Sequence, residues 1–275
     1  MIPARWRSPA AAAALLDLFV AGNLGFLAVD IWLAHSMNRF AHWAEWIPLG
    51  FSCVAPVALA PGVVTRARGG APAAWPGLAV GATAVVVGVA GLLWHGHGTF
   101  FREQTLHHLV YTAPFAAPLA YAGLGLLLLL NRTEDPASRD WARWVLLLSA
   151  GGFAGNLALA LADHAQNGFF YASEWVPVVA AAFGLSFLTV VVARPADTAL
   201  RRATAVVMAA QALVGLLGAL LHGLAIARGP GDLWHDVIHM APPFAPLLFA
   251  DLAALAWLGL WRLGMAGPVG PPRVA

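Results

Sequence analysis

Histidine, asparagine and glutamate recur at one fixed spacing in two places. Residues 35–48 and 164–177 align without a gap as H-x-x-N-x-F-x-x-x-x-E-W-[IV]-P, so His35, Asn38, Phe40, Glu45, Trp46 and Pro48 answer to His164, Asn167, Phe169, Glu174, Trp175 and Pro177. Further histidines follow in the same order, His95 then His107 after the first stretch and His222 then His235 after the second. Each set therefore offers three imidazoles and one carboxylate, a donor combination suited to zinc, iron, manganese, nickel or copper(II). A neutral imidazole brings a nitrogen lone pair, and a glutamate brings charge that partly offsets a divalent cation. Asn38 and Asn167 are placed to orient the carboxylates and are taken as cofactor-binding residues. Glu45 and Glu174 double as candidate catalytic bases toward a metal-bound water. His239, four residues beyond His235 and aligned with Tyr111, adds an i, i+4 pair to the second set.

The elements that must position these groups are membrane helices. Of 275 residues 60% are hydrophobic and 10% charged, against roughly a quarter charged in an ordinary soluble domain. The mean hydropathy is +0.75, which nearly excludes a water-soluble globular protein. One cysteine, Cys53, and no lysine argue against a disulfide scaffold, a zinc ribbon or thiolate chemistry. A net charge of +2 is too small to imply a nucleic-acid partner. Eight apolar runs of about 20 residues are expected near 11–35, 46–65, 76–96, 106–130, 144–163, 175–193, 204–226 and 236–262. Runs such as Leu126 to Leu130 do not alternate, so helices rather than barrel strands are expected. Twelve of the fifteen arginines fall at the termini and on even-numbered connections, and only Arg39, Arg102 and Arg228 on odd ones. Positive charge is retained on the cytoplasmic side, so both termini are expected there. Trp32, Trp43, Trp46, Trp94, Trp175 and Trp234 fall near the opposite boundary, where indole rings prefer to sit.

The duplication extends over the rest of the chain. Asn23 matches Asn156 and Asp30 matches Asp163, four residues out of step with the histidines, about one helical turn. Gly88, Gly91, Pro114 and Pro118 match Gly215, Gly218, Pro242 and Pro246. The expected fold is an all-α integral membrane protein with eight transmembrane helices. It comprises two parallel four-helix repeats related by a pseudo-two-fold axis. Residues 1–130 form the first repeat, 131–143 a cytoplasmic linker, 144–265 the second repeat and 266–275 a short tail. In each repeat the first histidine closes helix one, the glutamate opens helix two, the second histidine closes helix three and the third opens helix four. All four are then expected at the extracytoplasmic face of an inner or plasma membrane.

Several of these residues also have structural roles. Glu-Trp-x-Pro suits a helix start, where an acid complements the macrodipole and proline is tolerated. Gly77, Gly81, Gly88 and Gly91 suit close helix packing, and Asn23 and Asn156 interhelical hydrogen bonds. Pro114, Pro118, Pro242 and Pro246 are expected to kink the fourth helices. Asp17 and Asp251 either pair with arginines or line a proton path. Asp30, Asp163, Asp232 and Asp236 are expected behind the ligands or on the way to them, whereas His42, His97 and His108 serve either loops or ligation.

The function expected is a polytopic membrane metalloprotein with His/Glu sites for copper, iron or zinc, acting as a redox or metal-dependent enzyme or as a subunit of one. An alternative is a b-type haem electron-transfer or quinone-linked protein, with His35/His95 and His164/His222 as axial pairs. The layout of eight helices in two halves is similar to that of haem A synthases, whose motifs do not occur here. Another alternative is metal transport or delivery. The stretch Trp234, His235 and His239 resembles the zinc-dependent membrane hydrolases of the ceramidase and progestin-receptor group. Partners expected are the lipid bilayer and a membrane or extracytoplasmic protein.

Overall fold

The computed structural model describes residues 8–265 apart from 99, 112, 113 and 115, and these residues contain helices and no strand. The helices are α1 (Pro9–Ser36), α2 (Trp46–Ala67), α3 (Ala74–Gly98), α4 (Phe100–Glu103), α5 (Leu106–Tyr111), α6 (Leu119–Thr133), α7 (Arg139–Gln166), α8 (Trp175–Ala193), α9 (Thr198–Ala227), α10 (Leu233–His239) and α11 (Leu247–Met265). One-turn 3₁₀ helices at Trp43–Glu45 and Ala172–Glu174 lead into α2 and α8. Helix starts are capped as their sequences require: Ser8 and Ser138 accept from the backbone N–H of Ala11 and Trp141, and Asp197 accepts from Leu200.

Among the described residues seven helices are long and apolar enough to cross a membrane: α1, α2 with its leading turn, α3, α7, α8 with its leading turn, α9 and α11. The protein thus has the architecture of a multi-pass integral membrane protein. The two runs expected to be continuous helices over 106–130 and 236–262 are each divided. Helix ends at Tyr111 and resumes at Leu119, and ends at His239 and resumes at Leu247. Pro114 and Pro118, with Pro242 and Pro246, are the cause. Proline lacks the N–H that a helix needs and pushes the residue before it out of the α region, so two prolines four apart break the chain where one would bend it. The 15 residues of α6 reach about 22 Å, short of the roughly 30 Å of hydrocarbon. Residues 134–138 join α6 to α7, with 131–133 in the end of α6 and 139–143 in the start of α7.

The same contacts occur in both halves. The first long helix packs on the second and on the helix that follows the proline break (α1 on α2 and α6, α7 on α8 and α11), and the third packs on that same helix (α3 on α6, α9 on α11). The halves meet where α6 touches α7 and α1 touches α11. The buried cluster is centred there, on Leu16, Val20 and Leu24 of α1, Leu127 and Leu128 of α6, Trp141, Leu146 and Phe153 of α7, and Ala253 and Ala256 of α11. The outer helices α2, α3, α8 and α9 turn apolar side chains outward, among them Val57, Val86, Val179, Val206 and Leu213. This inside-out distribution suits lipid, which solvates such side chains as well as a core does. The six tryptophans assigned to the membrane boundary are all exposed.

Glycines on α3 and α9 set how closely the third and fourth elements approach. A Cβ on Gly88 would lie 2.5 Å from the Ala122 nitrogen, and one on Gly215 would lie 2.8 Å from the Pro246 oxygen. One turn later Gly91 and Gly218 seat the rings of Pro118 and Pro246, with 2.7 and 2.8 Å between the would-be Cβ and proline Cβ. The packing role expected of these glycines is thus present, and it places the ends of α3 and α9 against the proline breaks.

Candidate functional site

The repeated motif folds into the same loop twice. After α1 the chain reverses through Arg39 and Phe40, both in the left-handed region (φ 61° and 51°), and after α7 it does so through Gly168 and Phe169 (φ 69° and 54°). The asparagine fixes the turn from within. Asn38 Oδ1 accepts from the Phe40 N–H and its Nδ2 donates to Glu45 Oε1 at 2.9 Å; Asn167 makes the same two bonds with Phe169 and with Glu174 Oε1, the latter at 3.3 Å. The phenylalanine then stacks on the tryptophan that follows the glutamate, Phe40 on Trp46 at 4.4 Å and Phe169 on Trp175 at 4.0 Å between centroids. Each named letter of the motif before the proline therefore has a contact, and the proline occupies the first turn of α2 or α8.

What the loop holds in place is the glutamate. With Oε1 taken by asparagine, Oε2 of Glu45 and of Glu174 is buried and has no hydrogen bond. Each faces an imidazole: His35 Nδ1 lies 3.6 Å from Glu45 Oε2, and His164 Nδ1 lies 3.9 Å from Glu174 Oε2. These separations exceed a charge-assisted hydrogen bond, which is about 2.7–2.9 Å. Two donors about 2.0–2.2 Å from one ion stand roughly 3.3–3.8 Å apart at tetrahedral to trigonal angles; the first pair, at 3.6 Å, falls within that range and the second, at 3.9 Å, just beyond it.

The second histidine of each set arrives from the third helix. His95 Nδ1 lies 3.2 Å from the Pro114 carbonyl, and His222 Nδ1 lies 2.8 Å from the Pro242 carbonyl. A carbonyl only accepts, so Nδ1 carries the proton and donates, which leaves the lone pair on Nε2. A backbone carbonyl behind the ring is also the usual partner of a metal-ligating histidine. His95 and His35 rings stand 6.3 Å apart, edge to face. His222 lies within electrostatic range of both His164 and Asp163. The structure therefore brings together His35, Glu45, Asn38 and His95 in one half and His164, Glu174, Asn167 and His222 in the other. Among the described residues no group of three or more His, Cys, Asp or Glu side chains is placed to hold a metal ion.

The third histidines pack against other rings. His107 packs against Tyr111 and His108, at 4.7 and 5.6 Å, and His235 against His239 at 4.6 Å. Both ride on the short helices α5 and α10, cut from α6 and α11 by the proline breaks, so they do not extend the line of a continuous fourth helix toward the cluster. Other candidates have local roles. His42 caps the turn before Glu45 by accepting from Ala44 N–H, and it packs against Trp94. His108 faces Thr105 and Glu103. Asp232 caps α10, and buried Asp236 accepts from the Gly231 N–H.

At the other end of the bundle the intramembrane acids resolve differently. Asp17, 1% exposed, is paired with Arg66 at 2.9 Å and Arg132 at 2.7 Å, and accepts from Asn131 at 2.8 Å. Asn131 in turn accepts from the Trp141 indole. Arginine pairing is thus the role of Asp17. Asp251 instead accepts from Asn23 across the contact between the halves. The proline-carbonyl bonds of His95 and His222, which join residues 19 and 20 apart, were invisible in the sequence. Comparisons with protein families, curated proteins and solved structures give no match.

Proposed function

We propose that the two clusters bind a transition-metal ion each, through His35, Glu45 and His95 in the first half and His164, Glu174 and His222 in the second. The observation that carries this reading is the duplicated carboxylate oxygen, buried, without a hydrogen bond, and facing an imidazole nitrogen at 3.6 Å in one half and 3.9 Å in the other. A buried carboxylate oxygen without a partner is costly, and both copies of the repeat carry the same deficit. Asn38 and Asn167 hold the other oxygen, while the Pro114 and Pro242 carbonyls fix the tautomer of the second histidine. Copper, iron or zinc all accept this donor set. The class proposed is a metal-dependent membrane enzyme, with redox chemistry first in line, or a subunit of one. A bound ion would supply Lewis acidity or an electron, and Glu45 and Glu174 would hold it or take a proton from a coordinated water.

The wider frame belongs to the same proposal. The eight helical runs form two parallel four-helix repeats about an axis along the membrane normal, with both termini cytoplasmic and both clusters extracytoplasmic. The arginine distribution and the matching helix contacts of the two halves support it.

The test is metal content and visible spectrum of the purified protein, beside the double variants Glu45→Ala/Glu174→Ala and His95→Ala/His222→Ala. About two ions per chain, lost in both variants, is the expected result. A Soret band that vanishes only with the histidines would overturn it in favour of haem, and a metal-free protein that stays metal-free on addition of zinc, copper(II) or iron(II) would remove it altogether.

A further inference from the structure

We infer that the third histidines complete the clusters crosswise: His107 serves the second-half cluster, and His235 serves the first. This rests on the metal reading above and adds the missing donor to it.

The short helix α5 carries His107 but packs chiefly on α7, the helix that carries His164 near its end. Two hydrogen bonds tie the ends together. Tyr111 Oη donates to the Gln166 carbonyl at 3.1 Å, and Gln166 Nε2 donates to the Val110 carbonyl at 2.9 Å. Gln166 is two residues beyond His164, so the clamp closes directly beside the second cluster. His107 is four residues before Tyr111, about 6 Å along a helix, and its ring lies against the Tyr111 ring. The exposed His107 side chain is therefore carried by a segment anchored at the opposite half's site.

The second half has a partial counterpart. α10, with His235, packs on α1 as well as on α9, and Phe244 beyond it meets Phe26 of α1 edge to face at 5.0 Å. His239 occupies the position of Tyr111 and lies against His235 as Tyr111 lies against His107. The cause lies in the proline breaks. A continuous fourth helix would hold its first turn over its own half, whereas a break of several residues frees that turn to dock on its neighbour. Each cluster, short of a third nitrogen within its own half, thus has beside it a segment of the other half that carries one.

Metal stoichiometry distinguishes crossed from uncrossed ligation, using cobalt(II) added to metal-free protein and read by elemental analysis and by its visible absorption. Wild type is expected to hold two ions, and His107→Ala to hold one tightly. His35→Ala/His107→Ala should then hold none, while His107→Ala/His164→Ala should hold one. The opposite order of the two double variants would overturn crossed ligation and leave the metal clusters standing, and two undiminished ions in His107→Ala would remove His107 as a ligand. Both double variants contain the same His107 substitution, so a folding defect at that position cannot invert their order. His95→Ala/His107→Ala against His107→Ala/His222→Ala gives the same comparison through independent residues. Wild type without any ion would instead defeat the underlying metal reading.

Discussion

Arg39 and Gly168 occupy the same place in the two copies of the loop that carries the asparagine clamp, both exposed and both left-handed, at φ 61° and 69°. Nothing lies within 4 Å of a Cβ added to Gly168, so exchanging these residues probes backbone conformation almost alone. A left-handed residue other than glycine costs roughly 1–2 kcal/mol. Glycine gives back about 0.4–1 kcal/mol through the greater freedom of the unfolded chain. Arg39→Gly is therefore expected to stabilise the protein by about 0.5–1 kcal/mol, and Gly168→Arg to destabilise it by a similar amount. For a chain of this size about 1 kcal/mol moves Tm by roughly 2–4 °C, so shifts of about 1–4 °C in opposite directions are expected. Thermal unfolding in detergent, followed by tryptophan fluorescence, reads them, and the double exchange should return close to wild type because the loops are independent. Shifts of the same sign, or none in either variant, would refute the left-handed loop and with it the geometry that aims Glu45 and Glu174.

Three further expectations follow from the contacts. Asn38→Ala and Asn167→Ala should each weaken cobalt(II) binding at one cluster about 10–100-fold, the usual effect of losing a group that orients a ligand; unchanged affinity by calorimetric titration would count against the carboxylates as ligands. Gly88→Ala or Gly215→Ala should destabilise by about 1–3 kcal/mol, because the new methyl meets backbone atoms that cannot move aside, whereas Gly22→Ala, with nothing within 4 Å, should be neutral or stabilising. Chemical unfolding of the three variants side by side checks this. Arg132→Met, which leaves buried Asp17 with one arginine fewer, should cost about 3–5 kcal/mol in the same assay, and a cost no larger than that of an exposed arginine such as Arg143 would show that Arg66 alone suffices.

The helical membrane architecture was legible because composition and run length are global properties that single side chains do not override. The loop was legible in part. The sequence showed which letters recur, and the roles of asparagine and glutamate as an oriented pair follow from their chemistry. The stack of Phe40 on Trp46 and the two left-handed residues needed coordinates, since Arg39 is an unusual choice for such a backbone and conceals the turn that Gly168 reveals. The fourth runs were misjudged because a single proline bends a helix, and the combined effect of Pro114 and Pro118 depends on whether a neighbour captures the freed carbonyl. His95 does so. That bond joins residues 19 apart, too far for helical periodicity to report. Asp17 showed the opposite difficulty. Its partners, Arg66, Asn131 and Arg132, all lie at apolar-run ends and looked like boundary residues rather than members of a buried network.

The Asp17 network also dictates an order of assembly. Its carboxylate enters the membrane on the first helix, and Arg66 on the second is the earliest counter-charge to emerge from the ribosome, so α1 and α2 are favoured to insert together as a hairpin. Asn131, Arg132 and the indole of Trp141 follow only as α6 ends and α7 begins. The acid therefore waits for two of its partners until the last turn of α6, and a gene cut after residue 130, inside that helix, would yield a first fragment whose buried acid keeps only Arg66.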